Sequence, residues 1–172
     1  MTRTTPQKIF RHRLKAALLY WLWLPGLAIG SGLLLDRGLG LTRRQPGLAA
    51  GGVAVCLLGL GLALIGWADR DLARLGHGTP SPAAPCHRLV TDGSYRLCRH
   101  PMSLGYDLAA LAIVMLSGSP AMLLFSYPLL LTWQARFLKN EEHILALRFG
   151  EEYRAYRAAV PFLIPLPSRR PR

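Results

Sequence analysis

Two polar segments hold most of the side chains that can do chemistry. The first runs His87-Arg88-Leu89-Val90-Thr91-Asp92-Gly93-Ser94-Tyr95-Arg96-Leu97-Cys98-Arg99-His100-Pro101, and the second is Glu141-Glu142-His143 followed by Phe149-Gly150-Glu151-Glu152-Tyr153. Arginine offers a planar fork of donors, histidine a donor and an acceptor, and glutamate a charged acceptor, so together they suit a small charged ligand. Singly, each has a plainer explanation. Arg96 and Arg99 beside an apolar run serve as topology and headgroup residues. His87 and His100 alone read as solvated or hydrogen-bonded side chains, and Glu141 and Glu142 as a solvated helix face beside Arg136 and Lys139. The weight lies in the two segments taken together.

The elements that must position them are apolar runs. Ala16 to Leu35 carries no charge and, at about 20 residues, is long enough to cross a hydrocarbon core of ~30 Å. The basic arm before it (Arg3, Lys8, Arg11, Arg13, Lys15) imitates a signal peptide, but the run is too long for one and further spans follow, so it reads as a retained helix bent at Pro25-Gly26. Gly47 to Trp67 is the second span, in which Gly59 and Gly61 allow close helix contact. Asp69 to Arg99 is the longest polar stretch, and Gly76, Gly78, Pro80, Pro82 and Pro85 predict an irregular start to it. A third span is expected at about 101–117, with Pro101 in its first turn, and a fourth at about 120–137 across the turn Ser117-Gly118-Ser119-Pro120, interrupted by Pro128. From Gln134 the chain becomes amphipathic and charged, and it ends in a Pro- and Arg-rich tail. The fold class expected is an all-α integral membrane protein: one domain over 1–172, four spans at about 16–35, 47–67, 101–117 and 120–137, and a pocket closed by a C-terminal amphipathic helix.

Charge sets the orientation. Of the 21 Lys and Arg, eighteen lie in the N-terminal arm, the middle loop and the segment after the fourth span, against three (Arg37, Arg43, Arg44) in the first loop. The positive-inside rule then predicts both termini and the middle loop on the cytoplasmic side. The polar segments would meet at a cytoplasmic mouth between helices, with apolar walls below and charged groups above, which suits an amphipathic ligand.

A formal net charge of +12 is also compatible with nucleic-acid binding. That reading predicts basic residues on a folded face with interleaved aromatics, whereas here they flank apolar runs, so no nucleic-acid partner is expected. Three cysteines (Cys56, Cys86, Cys98) without a C-x-x-C suggest neither a disulfide framework nor a zinc site. Asp107 is unusual within an otherwise apolar run, because ionisable groups in spans are costly; it lies about two turns from Pro101. Trp21, Trp23, Trp67 and Trp133 fit interfacial or packing positions.

The stretch Gly76-His77-Gly78-Thr79-Pro80, then Leu89-Val90, Gly93, Tyr95-Arg96 and Arg99-His100-Pro101-Met102, resembles the signature of the isoprenylcysteine carboxyl methyltransferase and phospholipid methyltransferase superfamily. So does the run Glu141-Glu142, Phe149-Gly150-Glu151-Glu152-Tyr153, Tyr156 and Val160-Pro161; the likeness covers residues 76–165 in order. It implies an S-adenosylmethionine-dependent membrane methyltransferase. His87, Leu89 and Val90 fall on the H-x-L-V cofactor segment, with Arg88 at its variable position. Tyr95, Arg99-His100-Pro101, Met102 and Glu141-Glu142 fall on the remaining cofactor positions, and no metal is implied. Arg and His would donate to the cofactor's carboxylate, and a Glu would accept from its hydroxyls or amino group. The acceptor would be a small or lipid-like molecule reaching the pocket from the bilayer: an isoprenylcysteine-type carboxylate, a phospholipid amine or a thiol. Arg136, about one turn before the acidic pair, is a weaker candidate for contacting it.

Two positions depart from the family pattern: Ser103 stands where a Tyr is usual, and Ser94 where a Pro commonly precedes the Tyr. These departures motivate an alternative, a non-catalytic membrane scaffold that keeps the fold. A protein that only binds anionic lipid through its basic rim is a further one.

Overall fold

The computed structural model describes residues 24–78 and 86–165. The basic arm, residues 16–23 of the first expected span, Thr79-Pro80, Pro82, Pro85 and the arginine-rich tail lie outside the described residues. Within them the chain is all helical, with no strand. The helices are α1 (Leu24–Gly38), α2 (Leu48–Leu75), α3 (Pro101–Ser117) and α4 (Tyr127–Ala159), with a 3-10 turn at Gly93–Arg96 and a π turn at Met122–Ser126 leading into α4.

α2 extends past Trp67 to Leu75, into the stretch whose charges suggested a loop. The reason is a buried stripe at helical spacing, Gly61, Ile65, Ala68 and Leu72, which keeps facing α3 while Asp69 and Arg70 point outward. The helix ends where the Gly76 N–H donates to the Leu72 carbonyl (3.0 Å). The α2–α3 pair is closest at Gly61 and Gly105. A Cβ on Gly61 would sit 2.5 Å from the Gly105 carbonyl oxygen, and one on Gly105 would sit 2.6 Å from that of Gly61, so the two backbones touch directly. Gly59 faces open space, so of the two glycines marked in the sequence Gly61 alone makes this contact.

At the end where α3 turns back, Asp36 ties three segments together. It accepts from the Ala121 N–H (3.0 Å) and from Arg43 Nε (3.2 Å), and the neighbouring Arg44 N–H donates to the Gly118 carbonyl (3.1 Å). Pro128, lacking an N–H and crowding the preceding turn, accounts for the widened π turn just before it. α4 then runs without interruption from its apolar start into the charged half, until Gly150 (φ 55, ψ −124) breaks the helical geometry. That backbone conformation is open to glycine and strained for any other residue. Beyond it Tyr153, Tyr156 and Val160 turn inward and pack with Leu89, Leu145, Ala146 and Phe149.

The exterior is apolar around the helices. Leu48, Val53, Val55, Leu60, Leu62, Leu123, Leu124, Phe125, Leu129 and Trp133 are all exposed. α2 is the one described helix long and apolar enough to cross a membrane, with a mean hydropathy of 2.4 over its most apolar 18 residues, of which 17% are buried. A core helix of a soluble domain would hide those side chains; α2 leaves most of them outside.

Candidate functional site

α3 begins at Pro101, which needs no N–H in the first turn, and His100 precedes it outside the helical conformation (φ −125, ψ 60) with its carbonyl already accepting from the Leu104 N–H (3.0 Å). The Arg-His pair is therefore held rigidly at a helix start. Upstream, the 3-10 turn is locked onto α2 by Asp71, whose Oδ2 accepts from both the Ser94 N–H and the Ser94 hydroxyl, each at 2.7 Å. Ser94 is fully buried. The departure at this position thus has a structural use: proline would supply neither donor. Tyr95 is fixed from the other side, its carbonyl accepting from the Tyr156 hydroxyl at 2.7 Å. Burial raises the Tyr95 phenol pKa, and the Glu141 charge adds to the effect.

Glu142 is the point of convergence. It is 5% exposed and lies on α4 directly across from the start of α3. Arg99 Nη1 is 2.7 Å from its Oε1, His100 Nε2 is 3.4 Å from the same oxygen, and Arg157 Nε is 3.7 Å from Oε2. Glu141, its neighbour, is 3.9 Å from His100 Nδ1 and nearly half exposed. These are charge contacts more than hydrogen bonds: Arg99 Nε and Nη1, His100 Nε2 and Glu142 Oε1 are buried with no well-aligned partner. Burial pulls the His100 pKa down to about 4, outweighing the upward pull of Glu142, so the ring is neutral at physiological pH. Burial raises Glu141, with Glu142 adding to the shift. Tyr153 is buried beside Glu142, and burial followed by that charge pushes its phenol up to about 12.

The segment after α4 folds back over this corner. The Arg99 N–H donates to the Pro161 carbonyl (2.9 Å), and the Phe162 ring packs edge-on against His100 (centroids 5.0 Å apart) and under the Arg99 guanidinium (5.4 Å). This strap and the C-terminal part of α4 both pack against the corner. Phe162 and Arg157 were missed in the sequence. An aromatic next to the Val160-Pro161 pair was a usable signal for the first, whereas Arg157 looked like one more surface charge.

The structure brings Tyr95, Arg99, His100, Pro101, Glu141 and Glu142 to one corner. Pro101 is buried in the α3 start, Met102 is half-buried beside it, and Leu89 and Val90 are packed beneath, Val90 fully buried and Leu89 against the Tyr153–Tyr156–Val160 cluster. His87 and Arg88 have exposed side chains, although the His87 N–H is anchored to the Gly76 carbonyl (2.9 Å). Arg136 is exposed on α4 and makes no contact with the corner. All three cysteines are free thiols, Cys98 buried behind the corner and pushed up to about 11 by burial.

This arrangement can bind a ligand carrying both signs of charge. A guanidinium and a carboxylate, each with unused hydrogen-bonding capacity in a dry corner, are the complement of an α-amino acid's carboxylate and ammonium groups.

Comparison with known proteins agrees with the motif reading. The family profile described as phospholipid methyltransferase matches residues 50–152, which include the first polar segment and all of the second but Tyr153. The protein-S-isoprenylcysteine O-methyltransferase of Schizosaccharomyces pombe is 41% identical over 81 residues, covering 46% of this chain and 34% of the relative. The B form of that enzyme from Arabidopsis thaliana is 33% identical over 82 residues, covering 46% and 40%. The chain thus matches well under half the length of these relatives, and no solved structure matches it significantly. Resting on a profile that spans more than half the sequence, the assignment is direct: the chain belongs to the phospholipid methyltransferase family, within the superfamily that includes the isoprenylcysteine methyltransferases.

Proposed function

We propose that this protein transfers a methyl group from S-adenosylmethionine to a lipid-like acceptor at a membrane surface. The observation that carries the reading is the meeting of Arg99 and His100 with Glu142 in a buried corner where several polar atoms lack aligned partners. When bound, S-adenosylmethionine supplies a methyl carbon activated by its sulfonium.

The chain's own residues bind, orient and exclude water. Arg99 pairs with the ligand's carboxylate through nitrogens now unsatisfied, and Glu142 accepts from its ammonium. His100, neutral, gives one ring donor and one acceptor without adding a charge. Phe162, Tyr153 and Val160 keep the corner dry, so alignment and exclusion of water do most of what such a displacement needs. His87, Arg88, Leu89, Val90, Tyr95, Pro101, Met102 and Glu141 complete the proposed cofactor site, Leu89, Val90, Tyr95 and Pro101 as walls and supports. Arg136, exposed on α4, is retained only as a surface residue that an acceptor passes.

The exposed apolar belt and the span-length α2 support membrane integration, and the count of four spans rests on the four apolar runs of the sequence. The corner lies at the arginine-rich end of the helices, the end that the charge asymmetry assigns to the cytoplasm together with both termini.

Calorimetry of the detergent-purified protein with S-adenosylmethionine tests the reading. Micromolar binding that Glu142→Ala abolishes supports it, as does incorporation of labelled methyl groups into a lipid extract. A folded protein that binds no S-adenosylmethionine overturns it. Binding without transfer to any extract would leave the scaffold alternative, whose motivation is weakened by the structural use of Ser94.

A further inference from the structure

The Arg99 guanidinium lies close to a carboxylate and yet is not aligned with it. Its Nη1 is 2.7 Å from Glu142 Oε1, but neither Nη1 nor Nε, both buried, has a hydrogen-bond partner. A guanidinium free to turn at that separation settles into an in-plane, charge-assisted bond. Something else holds its plane.

The restraint comes from the strap after α4. Arg99 lies over the half-buried Phe162 ring, 5.4 Å from its centroid, so the ring takes the face of the guanidinium and leaves the in-plane N–H groups free. The ring itself is fixed twice. The Arg99 N–H donates to the Pro161 carbonyl (2.9 Å), which ties the main chain of the strap to the residue that its side chain supports. The His100 ring meets Phe162 at 70° with centroids 5.0 Å apart, and this edge contact limits how far the phenyl can slide. The first turn of α3 offers no alternative, because Met102, Ser103 and Leu104 carry no ring.

We infer that Phe162 is a positioning residue for Arg99: by holding the guanidinium plane against the strap it keeps the fork ready for a ligand carboxylate, and so makes the site select cofactor-like ligands that carry one. The inference rests on the methyltransferase reading above and goes beyond the exclusion of water. A ring that only shields the corner strengthens every ligand alike. A ring that sets the plane of one guanidinium strengthens the ligands whose carboxylate that guanidinium meets.

The test uses the whole chain in neutral detergent and calorimetry with two probes, S-adenosylmethionine and its decarboxylated form, in which a hydrogen replaces the carboxylate. Wild type is expected to bind the first at least about tenfold more tightly than the second. Phe162→Leu, which keeps apolar cover and removes the ring, is expected to weaken S-adenosylmethionine by about three- to thirtyfold while the decarboxylated probe stays within about twofold. Phe162→Tyr, which keeps the ring, restores the wild-type preference. Equal losses for both probes in Phe162→Leu, or no loss for either, overturn the inference. A second readout needs no ligand. The Arg99 side-chain N–H resonance, identified by its loss in Arg99→Lys, is expected upfield in wild type, where the ring current shields it, and back at the ordinary arginine position in Phe162→Leu. An unshifted wild-type resonance overturns the inference as well. A shifted resonance in a protein that binds no S-adenosylmethionine would uphold the positioning of Arg99 and sink the function reading instead.

Discussion

Glu142 on α4 and Arg99 just before α3 lie 2.7 Å apart, both nearly buried, although the two residues are far apart in sequence. The pair is in charge contact but not in well-aligned hydrogen bonding. Such a pair adds little net stability, because desolvating both ions offsets most of their attraction, yet removing one member is costly. Glu142→Ala should therefore do two things: weaken S-adenosylmethionine binding beyond detection, and destabilise the protein by about 3 kcal/mol through an uncompensated Arg99. Glu142→Gln, which keeps a hydrogen-bonding group, should lower the affinity with a smaller fall in thermal midpoint. Calorimetry and a thermal melt in detergent separate the two effects.

Asp71 holds the 3-10 turn through two 2.7 Å hydrogen bonds from Ser94. Removing one partner leaves buried donors unpaired, a cost of about 1–3 kcal/mol. Asp71→Ala is expected to lower the thermal midpoint more than Ser94→Ala, because the first strands two donors and the second only deletes one. Ser94→Pro, the substitution that restores the common family residue, should also destabilise here, since it removes both donors. If Ser94→Pro proves neutral in a thermal melt, the lock is not what holds Tyr95 in place.

The two halves of the site were legible because each is a local motif. Arg99-His100-Pro101 marks a helix start, and Glu141-Glu142 lies on a helical face. The all-α class followed from the apolar runs, and the third helix appears at the expected bounds of 101–117. Less could be read where position depends on chain reversal. The aromatic beside Val160-Pro161 could be singled out, but not that the chain bends at Gly150 and lays that ring on His100. Asp71 looked like one charge in a polar loop, because Asp69, Arg70, Asp71 and Arg74 hide the Ala68–Leu72 stripe that keeps α2 helical.

Gly150 permits that bend with φ 55 and ψ −124. A Cβ there meets no neighbouring atom, so the cost of Gly150→Ala is backbone strain alone, about 1–3 kcal/mol. The strain should be relieved by straightening α4, which lifts Tyr153, Tyr156 and the Phe162 strap off the corner. The expected outcome is a modest loss of thermal stability with a larger loss of S-adenosylmethionine affinity. Hydrogen exchange at residues 151–162 checks it: faster exchange in the variant is expected, and unchanged exchange would show that the bend does not depend on glycine.

His100 gives the site a defined response to acid. Its folded pKa of about 4 lies below the ordinary histidine value because burial disfavours the charged ring. Between about pH 6.5 and pH 4 the unfolded chain binds a proton that the folded chain does not, so stability falls as pH drops through that window. The facing groups act differently. Glu141, whose folded pKa is raised by burial, contributes in the opposite sense, with stability lost as pH rises. The His100 share is therefore isolated by difference. Wild type should lose thermal midpoint between pH 6.5 and pH 4.5, and His100→Gln, which cannot take up the proton, should lose distinctly less. Equal slopes in the two proteins would mean that the ring is already charged in the folded state, and that Glu142 holds it as an ion pair.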